Sequence, residues 1–164
     1  LRQARHVGPG CEDHYFISMP YLAGCTMRLT QEGRTAHCVP GHMILQHTAR
    51  PSELVHPKVG AIIVRVPGSA LRDRFRHTLG CLGLSLPAID SAGALVSSLA
   101  TSLVANAASL APAVKQAAGE SLIDLLAIAL EAKAGDLPRS GKAVRDAHRA
   151  RAQQYIRQHF REPD

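Results

Sequence analysis

The sequence has 164 residues, of which 46% are apolar, 20% charged and 4% aromatic, with no tryptophan. That composition suits one folded domain with a core of Ala, Leu and Val, and it excludes both a disordered chain and a disulfide scaffold. The net charge of +6 is spread along the chain without a block of five basic residues, so charge alone does not make a nucleic-acid surface.

The distribution is informative. Residues 1–79 hold ten basic and five acidic groups (+5), 80–134 hold two and four (−2), and 135–164 hold seven and four (+3). No apolar run of about 18 residues is present, so no transmembrane helix is expected. The start, LRQARH, has no apolar signal core and no initiator methionine, and it reads as a cut from a longer chain. Four cysteines without a CxxC pair fit a reducing cytoplasm.

Residues 13–67 read as β. Short apolar and β-branched runs at 14–19, 24–30, 34–39, 42–47, 53–56 and 61–66 are separated by turn residues. Their length and spacing predict an antiparallel sandwich or barrel. If Glu32-Gly33 is a two-residue loop, Gln31 faces Arg34, Leu29 faces Ala36 and Met27 faces Cys38. Cys25 then shares their apolar face, while Thr26, Arg28, Thr30, Thr35 and His37 take the other. Residues 61–64 (AIIV) are apolar on both faces, which predicts a central strand covered on both sides. Pro67 ends that strand, and Ser69 is placed to cap a short helix over 70–77.

Residues 91–134 read as two helices that pack antiparallel. Asp90 is the expected N-cap of the first, and Leu95, Leu99 and Leu103 form its stripe. Pro112 fits the first turn of the second helix and Gly135 its end. Residues 121–130 are apolar nearly all round, interrupted by Asp124, so that helix needs cover on more than one side. The first helix or a second copy of the chain could supply it. Leu122, Leu125 and Leu126 therefore join Leu95, Leu99 and Leu103 as candidates for helix packing and a homodimer. Residues 135–143 read as a linker. A basic helix over about 143–160 follows, with Tyr155, Ile156 and Phe160 as its larger apolar residues, as if opening a further domain.

Chemical motifs are sparse. The chain has no GxSxG, GxGxxG or P-loop pattern. Nine histidines invite a metal, but His37, His42 and His47 are five apart and no HxH occurs, so no metal site and no cofactor are expected. Cys25 and Cys38 read as small core residues. Arg65, within an apolar strand, is either a surface residue or an inward cation awaiting an anion.

Three stretches carry a resemblance: residues 39–54 (VPGHMILQHTARPSEL), 62–71 (IIVRVPGSAL) and 150–164 (ARAQQYIRQHFREPD). In that order, around the helical pair, the chain resembles the N-terminal half of AraC-family (AraC/XylS-type) transcription regulators, in the subgroup with an AraC-binding-like sensor domain. His42 stands where that family usually has Asp. The resemblance implies an α+β fold, with a cupin-like antiparallel barrel or sandwich, a helix pair and a C-terminal linker helix. It implies a sensing and dimerisation domain over 1–134, a linker over 135–143, and at 144–164 the first helix of a truncated helix-turn-helix domain. The barrel would bind a small-molecule effector, with Met27, Leu29, Cys38 and Arg65 as pocket candidates. The helices would form a homodimer. DNA and RNA polymerase would be met only through the missing C-terminal domain. No membrane contact and no catalysis are implied. The rivals are a cupin-type metal-dependent enzyme and a ligand-free dimerisation module.

Overall fold

A computed structural model describes residues 13–56, 60–89 and 91–136. Of the linker expected over 135–143, Gly135 and Asp136 belong instead to the end of a long helix, and the rest of it, the basic helix expected over about 143–160 and Asp90 lie outside the described residues. The chain runs β1 (His14–Pro20), β2 (Met27–Gln31), β3 (Arg34–Cys38), β4 (His42–His47), β5 (Ser52–Val55), β6 (Ala61–Pro67), α1 (Gly68–Arg74), a 3-10 turn (Thr78–Cys81), β7 (Ser85–Pro87), α2 (Ala92–Ala105) and α3 (Pro112–Asp136). The strands form two antiparallel sheets, ordered β6-β1-β4-β7 and β3-β2-β5.

The β2–β3 hairpin forms in the register read from the sequence, with Met27 opposite Cys38, Leu29 opposite Ala36 and Gln31 opposite Arg34. Glu32 and Gly33 both take positive φ, 54° and 70°, which is the type I′ turn of a two-residue hairpin. The turn matches the twist of the flanking strands, so the register needs no other support.

The four-stranded sheet is buried on both faces around β1. On one face Tyr15, Ile17 and Met19 lie beside Val66, Val64 and Ile62 and pack under the helices. By register the opposite face holds Ser18 beside Ile63 and Ile44. There it meets the smaller sheet, and Met27, Leu29, Ala36, Cys38 and Ile44 form a second, compact core.

Two expectations are corrected and one element is added. The strand over residues 61–64 is not central. β6 is the edge strand, paired with β1 alone, and its Ile63 is 58% exposed. Central placement falls instead to β1 and β4. Ser69 does not cap α1. The helix starts at Gly68 with Ser69 inside it and no side-chain cap. The stretch after Cys81 contains β7, a three-residue strand added to β4 that the sequence did not reveal.

Both helices begin and end near their expected limits. Ser91 precedes α2, but its hydroxyl donates to the Pro87 carbonyl and does not cap the helix. The first turn of α2 lies so close to β7 that a Cβ on Gly93 would overlap the Pro87 carbonyl. α3 packs along α2 and reaches α1 and the 3-10 turn. Arg74 and Asp124 pair between α1 and α3, and the Cys81 thiol contacts the Leu130 carbonyl.

Candidate functional site

Two places could hold a ligand. The first is the space between the sheets. Its floor is β1 and β4, and its roof is the β2–β3 hairpin with β5. Met27, Leu29 and Cys38 meet there, all at most 1% exposed. Burial pushes the Cys38 thiol up to about 12, with nearby Cys25 adding to the shift, so it is a packed side chain and not a nucleophile.

Polar side chains lock the sheets together beside this core. Gln31 is buried and reaches β4 with both ends of its amide. Its Nε2 donates to the His47 carbonyl at 2.8 Å and the Arg50 carbonyl at 3.2 Å, and its Oε1 accepts from the His47 N–H at 2.9 Å. Gln46 Nε2 donates to Ser52 Oγ at 2.8 Å, a second tie from β4 to β5. Arg34 donates to the Gly80 and Leu82 carbonyls and anchors the hairpin to the 3-10 turn.

A polar cluster on the helix-facing side was not apparent in the sequence. The His47 ring N–H at Nε2 donates to Asp13 at 2.7 Å, and Arg72 of α1 pairs with the same carboxylate. The Tyr15 ring lies 4.5 Å from the His47 ring, and its hydroxyl hydrogen-bonds Thr78 at 2.8 Å. The Arg72 hydrogen bond, aided by His47, holds the Asp13 carboxyl down at about 2. Burial lowers the His47 pKa, and the Asp13 hydrogen bond only partly offsets it. These shifts set a pH response. His47 binds a proton less readily folded than unfolded, so its contribution is complete above about pH 6.5 and fades as pH falls below that value. Asp13 adds a second loss as pH falls from about 4 towards 2, of about 1 kcal/mol or less because its carboxylate is 44% exposed. Melting temperature is expected to fall between pH 7.5 and 5, then again below 4. Asp13→Asn should remove the second step, and a flat profile would contradict this account.

Histidines 37, 42 and 47 do not converge. His37 is exposed on the outer face of β3, and His42 and His47 lie on opposite faces of β4. Among the described residues, no three His, Cys, Asp or Glu side chains come together to hold a metal. None of the described helices is long and apolar enough to cross a membrane.

The second place is a groove of about 510 Å³ between β6 and the helix pair. Its wall on the sheet side runs from Ile62 to Pro67 without a gap, so the groove follows the strand edge. Arg65 lines it, exposed and apart from Met27, Leu29 and Cys38. Helices α2 and α3 contribute Leu103, Val104, Glu120 and Ile123, among others.

The helix candidates divide by exposure. Leu122 and Leu126 are buried in the chain's own core, and Leu99, Leu103 and Leu125 pack partly against it. Leu95 is 56% exposed. The buried face of α2 is Gly93, Val96 and Ala100.

Comparison with known proteins places this architecture. The AraC-like transcriptional activator CuxR has a similar fold, with a TM-score of 0.66 and 13% sequence identity. The match covers 79% of this chain and 45% of that one, so the present chain spans less than half of CuxR. Among curated proteins, none matches the sequence. The family model for the AraC-binding-like domain matches residues 2–131, through the strands and most of the helix pair. The two-sheet, cupin-like fold and this match agree, and the chain belongs to the AraC-binding-like domain family.

Proposed function

We propose that this chain is the effector-sensing and dimerisation domain of a bacterial, cytoplasmic AraC-family regulator. It would control DNA binding by a C-terminal helix-turn-helix domain, through which DNA and RNA polymerase are met. The family match across both the strands and the helices carries this reading. No step of it needs catalysis. An effector would act by differential affinity for two arrangements of sheets and helices, and so shift their populations. Leu95, the most exposed of the candidate leucines, is the one best placed for a second copy.

The burial of Met27, Leu29, Ala36, Cys38 and Ile44 against one another favours one alternative, a dimerisation module without a ligand. A screen of small metabolites by thermal unfolding separates the two. A ligand at 100 times its Kd stabilises the folded state by about 2.7 kcal/mol. At least one compound is expected to raise the melting temperature by several degrees in a concentration-dependent way. A broad screen in which none does so supports the ligand-free module.

A further inference from the structure

Helix α1 has only seven residues, yet charged side chains tie it on two sides. Towards the sheet, Arg72 pairs with the Asp13 carboxylate, and the Gly68 N–H donates to the Asp13 carbonyl at 2.8 Å. Towards the long helix, Arg74 pairs with Asp124 of α3. Residues two apart in a helix point roughly 200° apart around its axis, so one arginine reaches each neighbour. The joint is close-fitting. Leu71 of α1 is fully buried, and a Cβ on Gly68 would overlap the Asp13 carboxylate. α1 also packs directly on α3. A displacement at Asp13 therefore has a short, packed path to α3.

The sheet end of that path holds a titratable ring. His47 is 8% exposed, with Nε2 on Asp13 and the Tyr15 ring against it. Its other ring nitrogen, Nδ1, is buried without a hydrogen-bond partner in the chain. In the neutral ring Nδ1 carries only a lone pair. A second proton turns it into a buried N–H with no acceptor, which is costly. The ring relieves that cost by turning towards water, and turning takes Nε2 off Asp13.

Charges reach the ring from every side. Asp13, before β1, favours a cation there, while Arg50, after β4, and Arg72, from α1, oppose one. Arg50 is itself paired with Glu32. From β1, Tyr15 adds its ring and a hydroxyl bonded to Thr78. The Asp13 carboxyl, held down at about 2, stays charged in the range where histidine changes charge.

We propose that α1 transmits protonation of His47 to α3. The ring lets go of Asp13, the carboxylate answers to Arg72 alone, and α1 shifts against α3 where Arg74 and Asp124 meet. The route needs no ligand, so it stands whether or not the domain senses a small molecule.

Two-dimensional amide spectra of the isotope-labelled full chain test it. Between about pH 7.5 and 5, the amide signals of Arg72, Arg74 and Asp124 are expected to move with the midpoint of the His47 ring signal. His47→Gln keeps an amide donor for Asp13 but cannot titrate, so it should abolish the movement at Asp124. His77, against Phe75 just past α1, is another histidine beside this helix, and His77→Gln should leave the Asp124 movement in place. Arg72→Met should cut that movement to less than half while His47 still titrates. Should that variant unfold, Arg74→Met, at the α3 end of the path, must show the same cut. An Asp124 signal that does not follow His47, that still moves in His47→Gln, or that moves as before in the folded arginine variants overturns the proposal. Should His47→Gln unfold, His77→Gln decides, and loss of the movement there overturns it.

Discussion

Leu126→Ala is expected to destabilise the domain by about 3 kcal/mol, within the roughly 2–5 kcal/mol typical of a buried leucine truncated in a core. Leu126 is 1% exposed and packs in the cluster between the helices and the four-stranded sheet. Truncation removes apolar surface from burial and leaves a cavity that the sheet is too rigid to close. For a chain of this length, melting should fall by roughly 6–12 °C. Ile128, two residues further along α3, is 54% exposed. Its replacement by alanine should change stability by only about 0.5 kcal/mol. Equal losses at the two positions would mean that a second copy covers the outer face of α3 in solution.

Gln31→Leu should cost roughly 2–4 kcal/mol, although it adds apolar surface to an apolar neighbourhood. Its amide pairs with both backbone groups of His47 and with the Arg50 carbonyl. Leucine satisfies none of these, and each buried backbone group left unpaired costs about 1–3 kcal/mol. Chemical denaturation should show a lower midpoint with an unchanged slope. A neutral result would mean that water replaces the amide at this joint. Gln31→Glu is a sharper version, because a carboxylate cannot donate to the two carbonyls that Nε2 now serves.

Much of the β part is legible from local chemistry. Glu32-Gly33 determines the hairpin, and strict alternation then assigns Met27, Leu29, Ala36 and Cys38 to one face. Non-local choices are not legible. β1 and β6 are both apolar on both faces, and only tertiary pairing decides which becomes the edge. The α2 stripe shows a different limit. Residues four apart in a helix rotate about 40° at each step, so Leu95, Leu99 and Leu103 drift around the axis. Leu99 and Leu103 therefore flank a buried face centred on Val96 and Ala100, and Leu95 falls outside it.

The candidate site divides along the same line. Met27, Leu29 and Cys38 come together because they share one hairpin. Arg65 is separated from them because its strand lies at the sheet edge. The groove joins residues 62–67 to residues 100–123, and no short pattern links stretches that far apart. The Asp13–His47–Arg72 cluster was equally hidden, since its members come from three separate elements or their ends.

The position of β1 has a consequence in time. It is the first described strand to leave the ribosome, yet its partners are β4 and β6. Its pairing with β6 needs the chain as far as Pro67. At translation rates of roughly 5–20 residues per second, several seconds pass while a strand apolar on both faces waits for its neighbours. The β2–β3 hairpin can close within about 1–10 μs of its own emergence. The smaller sheet can therefore start forming first, while nascent β1 waits unpaired for β4 and β6.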